Sequence, residues 1–399
     1  NVWNLNDRDA NGNLRQVEQV RINPLSIIET FDITQQTYRT MGNVKLSLFP
    51  VKGLNIDLIG GGDIYSLQGN EYHPRLPYSG VSADFFPDGY VSLATDNLML
   101  FNNDLNITYN RNLTKALTST TMAGYQIQYN RRQYAAQDGR DLAPFGKTIA
   151  AANNLFNRPV QSLSERFISG AFIQQTFGFK EQVFLTLAGR IDKSSVFAED
   201  NQNNFYPKIS GSWVLSDYLK NKTLISSAKL RAAYGQAGNL TGIGAYDRFD
   251  NYLLSSIGGL ASITPSTTFA NPSVRPEKMT EFEFGGDFAF LNNRLSLSVN
   301  VYSQKITDLL LTKPVPPSVG GTSIVTNVGD NTYMDNKGFE LMLNAALVRK
   351  KDFKWDLGIL YNRNRNRVYG IDGDFFFLRT GGPQAVLNGQ SFGAFYGTY

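Results

Sequence analysis

The residues most suggestive of catalysis lie near the end of the sequence. Residues 389–393 read Gly-Gln-Ser-Phe-Gly and fit the G-x-S-x-G pattern around the nucleophilic serine of many hydrolases. In an α/β-hydrolase this serine lies on a turn between a strand and a helix, and the catalytic histidine follows it in the chain. The one histidine here, His73, precedes Ser391. We therefore interpret the segment as a loop of a β-structure without a nucleophile.

Two further groups of residues suggest phosphate or cation binding. Gly146, Lys147 and Thr148 resemble the end of a phosphate-binding loop, but Asp141 stands where that loop needs its first glycine. Carboxylates of Asp192 and of Asp372 to Asp374 could ligate a hard cation such as Ca²⁺, yet no complete ligand set is visible. We expect solvated loop residues and no bound metal.

The composition removes most other chemistry. The chain of 399 residues has no cysteine, which excludes disulfides and cysteine-based metal or redox sites, and a single histidine leaves few options for acid–base catalysis. We therefore expect a protein that is not an enzyme and needs no cofactor. A net charge of +4 without a dense run of Lys or Arg argues against a nucleic-acid partner.

The elements that would position any site are strands, because polar and apolar residues alternate with a period of two. Between Glu281 and Phe290, four phenylalanines alternate with polar or small residues. After the connection 291–294, Leu and Val alternate with Ser and Asn as far as Tyr302. This segment predicts two long antiparallel strands joined by a tight turn.

The same alternation predicts about twelve strands along the chain. They cover residues 32–49, 53–66, 97–110, 117–134, 161–178, 182–195, 204–216, 226–237, 278–291, 294–306, 336–349 and 354–368. All are longer than the roughly five or six residues of an ordinary globular strand, and a tilted membrane crossing needs about 9–11.

The connections alternate between short and long, which bears on the fold class. Short turns are predicted near 50–52, 111–116, 179–181, 292–293 and 350–353, and long segments at 67–96, 135–160, 238–277 and 307–335. This asymmetry predicts an all-β protein, a transmembrane antiparallel β-barrel with short periplasmic turns and long extracellular loops in a bacterial outer membrane. A soluble β-sandwich would show the same alternation with its apolar face inward, but strand length and loop asymmetry favour the barrel.

Several motifs are similar to those of the SusC/RagA family of TonB-dependent outer-membrane transporters from Bacteroidota. The strongest is the run from Asn271 to Phe288, which reads NPSVRPEKMTEFEFGGDF, continued from Asn293 to Leu310. Supporting motifs, in the same order as in the family, lie at 190–197, 205–213, 230–239, 327–341 and 392–397.

This resemblance implies that residues 1–399 belong to one larger barrel domain. Barrels of the family have about 22 strands, against the twelve predicted here. The family's plug, TonB box and N-terminal regulatory-like domain are not found in this sequence. We therefore expect the chain to be a partial barrel from a longer protein.

The resemblance also implies a function and partners. The expected activity is TonB-dependent import of an oligosaccharide or peptide, together with a SusD-like surface lipoprotein, in contact with the lipid bilayer and lipopolysaccharide. TonB would bind a segment outside this chain. One alternative is a structural or binding component of a larger secretion or adhesion assembly, and another is a passive porin.

Two sets of residues are candidates for contact with a solute. Inward polar positions are expected to line the lumen and to pair across strands, namely Lys229, Arg231, Glu281, Glu283, Asp287 and Asn300. Loop residues with aromatic faces or polar tips suit sugars and peptides, and the candidates are Tyr72, His73, Tyr78, Phe85, Tyr246, Arg248 and Phe249. The sequence does not identify the substrate.

Overall fold

The computed structural model of the chain consists mainly of long antiparallel strands. It describes residues 5–16, 22–77, 86–155, 159–216, 224–239, 243–258, 260–329, 331–371, 375–378 and 382–397. One short helix, α1 (Pro24–Thr30), begins after Asn23, whose side chain accepts a hydrogen bond from the Leu25 amide at 2.9 Å. Within the described ranges, no helix has the length and apolar character of a membrane span.

Twelve long strands form one sheet whose order follows the chain. They are β1 (Asp32–Leu48), β2 (Leu54–His73), β3 (Tyr90–Asn112), β4 (Leu117–Leu142), β6 (Val160–Phe179), β7 (Val183–Ser194), β8 (Asn203–Val214), β9 (Ile225–Asn239), β13 (Glu277–Phe290), β14 (Leu295–Thr307), β17 (Tyr333–Arg349) and β18 (Lys354–Tyr369). The short strand β5 (Ala152–Leu155) adds to β4. From β6 onward each neighbouring pair is antiparallel.

The loops carry small sheets of their own. Strands β10 (Tyr252–Ile257) and β11 (Leu260–Pro265) form a hairpin. Strands β12 (Thr268–Phe269), β15 (Leu310–Pro314) and β16 (Ser323–Asn327) form a second sheet, and β19 (Phe375–Phe377), β20 (Gln384–Leu387) and β21 (Ala394–Phe395) a third. The long connections are therefore folded structures in their own right.

The chain divides into two compact units. One contains Asn1–Val44, Gly60–Asn102 and Gln128–Glu165, and the other contains Lys45–Ile59, Asn103–Ile127 and Arg166–Tyr399. Charged pairs link strands in the first unit, such as Arg132 with Asp96 at 2.7 Å. The second unit contains β7 to β18 complete, together with the loop sheets.

In the second unit, the neighbouring strands β9, β13, β14, β17 and β18 of the main sheet have one apolar and one polar face. Register places Phe284, Val301 and Phe339 side by side, and the apolar residues on this side stay exposed, with Phe284 at 47%. We call this side the apolar face, and its members include Phe282, Phe284, Val299, Val301, Phe339, Leu341, Leu343, Leu357, Ile359 and Tyr361. Such a surface suits lipid better than water.

The predicted strands agree in number with the observed sheet, and most bounds agree within a few residues. The exceptions are β2, β3 and β4, which extend to His73, from Tyr90 and to Leu142, beyond the predicted 53–66, 97–110 and 117–134. These extensions are rich in polar residues and lack alternation. Most side chains of the extensions are half-buried although they are polar, so the alternation that predicts a strand stops before the strand ends.

Candidate functional site

The side of β9, β13, β14, β17 and β18 opposite the apolar face is densely polar, and we call it the polar face. It lines a groove of about 510 Å³. The groove residues are Arg231, Glu281, Glu283, Asn300, Tyr302, Gln304, Asn336, Glu340 and Asn364. Of the six predicted lumen residues, Arg231, Glu281, Glu283 and Asn300 line the groove, and Asp287 and Lys229 pair in register on the same face.

Arg231 is the central cation of the polar face. Its guanidinium forms an ion pair with Glu283 and lies 3.5 Å from Asp287 Oδ2. The residue opposite Arg231 is Gly285, and a Cβ there would come within 2.8 Å of Arg231 Cζ and 2.9 Å of Asn300 Oδ1. The glycine therefore leaves the space that the guanidinium occupies. Because Arg231 is partly exposed, the pair orients charge more than it stabilises the fold.

A chain of side-chain hydrogen bonds crosses four strands at one level of the polar face. Glu281 accepts from Gln304 Nε2 at 2.9 Å, and Gln304 Oε1 accepts from Asn336 Nδ2 at 2.8 Å. Asn336 Oδ1 accepts from Asn366 Nδ2 at 2.7 Å. Asn366 Oδ1 then accepts from the Phe392 amide at 2.8 Å. We call this series the amide chain.

The direction of the amide chain follows from the carboxylate at its start. An ionised Glu281 can only accept, so Gln304 must present its NH₂ group, and each following amide is oriented in turn. The four residues are direct partners in register across β13, β14, β17 and β18. The polar face thus offers fixed donors and acceptors to a solute.

Among the loop candidates, Tyr72 and His73 end strand β2 in the first unit. The His73 ring stacks on Phe31 at 3.9 Å and is tilted to Tyr90 at 5.2 Å, and its Nε2 lies 2.7 Å from Glu71 Oε1. With 12% of its side chain exposed, His73 lies within an aromatic cluster. The Lys147 ammonium lies 5.3 Å from the centre of the Tyr72 ring.

The other loop candidates follow β9 in the second unit. The Arg248 guanidinium lies 4.2 Å from the centre of the Phe249 ring, and Tyr246 and Phe249 are 39% and 46% exposed. Their backbone is fixed by a bond from the Phe249 amide to the Tyr246 carbonyl at 3.0 Å. These three residues form one loop surface, in which the two rings are exposed and Arg248 is half-buried. The candidates Tyr78 and Phe85 lie outside the described residues.

The motif residues that carry the family resemblance fasten the loops together. Asn327 accepts from the Arg275 amide at 2.8 Å and donates to the carbonyls of Arg275 and Asp308 at 2.9 and 2.7 Å. Arg275 also pairs with Asp308 at 2.9 Å. Glu277 accepts from the Leu310 amide at 2.9 Å and from Asn239 Nδ2 at 2.6 Å. These polar bonds hold three loops at the ends of the strands.

A small hydrophobic core supports the same loops. It contains Val196, Phe197, Ile243, Val274 and Leu310, and Phe197 is fully buried. The motif at 190–197 therefore ends in core residues of the loop region. In this motif the Asp192 carboxylate accepts a hydrogen bond from Arg190 Nε at 2.6 Å, so the two side chains form an ion pair.

The motifs that suggested chemistry are turns and caps. Ser391 Oγ donates to the Asn366 carbonyl at 3.2 Å, and Gly389 and Gly393 both have a φ of 76°. Thr148 precedes a single 3₁₀ turn at Ile149–Ala151. Over the ranges that the structure describes, no cluster of His, Asp or Glu is arranged to hold a metal. Asp372 and Asp374 lie outside those ranges.

Several residues of the site are missing from the sequence prediction. Gln304, Asn336 and Asn366 form most of the amide chain, although no motif joins them. Only register brings them together, since they lie on three different strands. One usable signal is the run Asn-Arg-Asn-Arg-Asn-Arg at 362–367, which places amides on one face of β18 and guanidinium groups on the other.

Comparison with known proteins supports one family throughout. TonB-dependent receptor P26 of Formosa agariphila is 31% identical over 326 residues, which are 76% of this chain and 31% of that protein. TonB-dependent receptor SusC of Bacteroides thetaiotaomicron is 27% identical over 218 residues, 51% of this chain and 21% of SusC. The matched part is thus a third or less of each relative.

The fold comparison agrees. A solved structure of the RagAB peptide transporter matches with a TM-score of 0.84 and 20% identity, over 96% of this chain and 43% of that one. Such a likeness shows a shared fold. The predicted resemblance to the SusC/RagA family is therefore confirmed, and with it the antiparallel transmembrane β-barrel, so that the soluble β-sandwich is excluded.

The family assignment rests on nearly the whole sequence. Residues 3–394 match the family model described as TonB dependent receptor-like, beta-barrel. The relatives from Formosa and Bacteroides support the predicted origin in Bacteroidota, and the family's proteins are receptors and transporters, not enzymes, as predicted. The chain belongs to the TonB-dependent receptor β-barrel family and is part of an outer-membrane protein.

Proposed function

We propose that the whole protein imports an oligosaccharide or peptide across the outer membrane with energy delivered through TonB. The observation that carries this proposal is the polar face, whose side chains are held in fixed orientations by ion pairs and by the amide chain. The groove along it, of about 510 Å³, is lined almost entirely by charged, amide and hydroxyl groups. A polar nutrient that moves past this face can exchange its hydrogen bonds with water for bonds to the protein.

The chemistry of the polar face favours neutral or mixed-charge solutes over anions. Arg231 is the one cation among the groove residues named above, against the carboxylates of Glu281, Glu283 and Glu340, and the amide chain is neutral beyond Glu281. Such a face disfavours a solute of net negative charge. Oligosaccharide hydroxyls and peptide amides both fit such donors and acceptors, and the fold match to the RagAB peptide transporter supports the peptide class.

A SusD-like surface lipoprotein is the proposed partner at the extracellular side. The likeness to SusC and to RagAB supports this partner. The proposed contacts of the solute before it reaches the polar face are the loop surface of Tyr246, Arg248 and Phe249 and, at the end of β2, Tyr72 with His73. Aromatic faces beside cations suit both sugar rings and peptide side chains.

Uptake by cells tests the proposal. A strain that lacks the gene is complemented with the intact protein and given fluorophore-labelled short peptides or neutral oligosaccharides. The expected result is accumulation of one class, lost when TonB is inactivated and also when the proposed lipoprotein is deleted. Accumulation that persists without TonB would instead identify a passive porin.

A second outcome separates transport from assembly. If neither class accumulates and the protein copurifies with secretion or adhesion components, the role is structural. The control is a strain that expresses an unrelated outer-membrane transporter at the same level, which reports on general permeability. Import is contradicted when the complemented and deletion strains take up every probe equally.

A further inference from the structure

The polar face continues beyond the start of the amide chain onto strand β8. Register places Lys208 of β8 directly across from Gly235 of β9, and Gly235 directly across from Glu281 of β13. Side chains of directly paired residues lie on the same side of a sheet. Lys208 and Glu281 therefore face the same side with the glycine between them, on strands that lie about 10 Å apart.

A cavity of about 340 Å³ separates these two opposite charges. Successive positions of β9 on this side carry small residues, and a Cβ added at Gly235 would still lie 3.9 Å from Lys208 Cγ, its nearest neighbour. The volume is within the range of sites for small ligands. We call this cavity the charged trough, with Ala233, Gly235 and Ala237 as its floor, Lys208 on one wall, and Met279, Glu281 and Glu283 on the other.

The charged trough lies where β8 and β9 separate. Pairing of these two strands ends at Lys208 and Gly235, although both strands continue beyond that row, β8 paired with β7 and β9 paired with β13. The residue of β8 at this point, Pro207, has no N–H group for a ladder bond. The trough thus opens toward the end of the strands that carries the long loops. Strands β8, β9 and β13 each have a neighbour on both sides.

The charges on both walls of the trough keep bonding capacity for a ligand. Lys208 is exposed, and among the described residues no carboxylate or other acceptor pairs with its ammonium. Gln304 donates to Oε2 of Glu281, and Arg231 pairs with Oε1 of Glu283. No further donor from the described ranges reaches these two carboxylates, so one oxygen of each is left for a cation in the trough.

We propose that the charged trough binds a short peptide by its two free termini, the carboxylate at Lys208 and the ammonium at Glu281. Both contacts are charge-assisted hydrogen bonds, which are stronger than those between neutral groups. An extended chain spans at most about 3.3–3.6 Å per residue, so a tripeptide of about 10 Å matches the separation of the two walls. A neutral oligosaccharide offers neither charge. This inference rests on the proposed import function and narrows its substrate class to peptides.

Retention of tripeptides by the intact purified protein tests the proposal. The probe is a mixed-sequence tripeptide pool in three forms, one with both termini free, one acetylated at the N-terminus and one amidated at the C-terminus. The amount of each pool that the protein retains is measured by mass spectrometry. Wild type is expected to retain the free pool about tenfold better than either capped pool, because each cap removes one charge-assisted hydrogen bond.

Two substitutions assign the two ends of the peptide. Lys208→Gln should retain the free and the amidated pools equally but still prefer the free pool to the acetylated one, and Glu281→Gln should show the reverse. Lys350→Gln and Asp352→Asn make the same changes of charge at the turn 350–353 and should behave as wild type does. Retention of the heat-resistant folded form on a gel shows that each variant still folds.

Three results decide against the trough as a peptide site. These are equal retention of the free and capped pools by wild type, unchanged preferences in the folded Lys208 and Glu281 variants, and retention of no tripeptide in any form. Each of them leaves the import proposal in place if cells still accumulate an oligosaccharide or a longer peptide with the help of TonB. Import itself fails separately, when no probe accumulates in a TonB-dependent way.

Discussion

At the scale of single residues, aromatic rings lying over glycines shape the polar face. Tyr302 on β14 lies directly across from Gly338 on β17, and a Cβ at Gly338 would overlap the Tyr302 ring. Gly238 and Tyr206 form a similar contact. The glycine of the Lys-Gly-Phe-Glu motif at 337–340 is therefore explained by the ring above it, since a larger residue would force the ring away.

This contact predicts a stability loss in Gly338→Ala. The added methyl displaces the Tyr302 ring, and overpacking of this kind costs about 1–3 kcal/mol. The matched control is Gly235→Ala, where the nearest atom to the new Cβ is Lys208 Cγ at 3.9 Å. Gel measurement of the temperature at which the folded form is lost should show a drop for the first variant alone. Equal melting temperatures would contradict the contact.

A second residue-scale prediction concerns the amide chain. Asn336→Leu removes the acceptor of Asn366 and the donor to Gln304. Because the groove is open to water, we expect a stability loss of only about 1 kcal/mol but a clear fall in uptake of the transported probe. Asn344→Leu, on the same face of β17 and outside the amide chain, is the control. Unchanged uptake in the Asn336 variant would show that the amide chain does not contribute to transport.

At the scale of elements, the loops depend on a few polar bonds for their order. Asn327→Ala removes three hydrogen bonds that connect residues 275 and 308. We expect the barrel strands to persist while proteinase K cleaves between 308 and 332 about tenfold faster on intact cells, because each of these exposed or half-buried hydrogen bonds contributes about 0.5–1.5 kcal/mol. Lys313→Ala, an exposed position on β15, is the control. Equal cleavage rates in the two variants would argue against this fastening role.

How far the elements could be predicted depends on what surrounds them. Strands beside lipid can be predicted from the sequence, because one face must be apolar. Strand β13, for example, was predicted at 278–291 and is observed at Glu277–Phe290. Residues 135–142 of β4 were not predicted, because they are mostly polar or small and do not alternate. Loop strands such as β12, with two residues, are too short to show a period, and α1 rests on one capped turn after Asn23.

The candidate site was predictable in type but not in arrangement. Glu281 and Glu283 could be placed on the polar face, because alternation assigns the face of each residue. The amide chain required the register between strands, which turn and loop lengths determine and single-strand patterns do not contain. Gln304 and Asn336 became neighbours only through the pairing of β14 with β17.

At the scale of the whole molecule, the central claim is that the two faces of these strands meet two different surroundings. Lipid contacts the apolar face, and water and the solute of the proposed import contact the polar face. Membrane placement and the proposed import along the polar face both depend on this division. Since the chain has no cysteine, single introduced thiols report on it without background from this sequence.

The most direct test compares adjacent positions on one strand. Glu340→Cys and Leu341→Cys are introduced singly into the intact protein in outer membranes and treated with a charged, membrane-impermeant maleimide. Register places position 340 beside Asn300 on the polar face and position 341 beside Val299 on the apolar face. We expect labelling at 340 and protection at 341 until detergent or unfolding removes the lipid. Equal labelling at both positions, or labelling at 341 alone, would contradict the account.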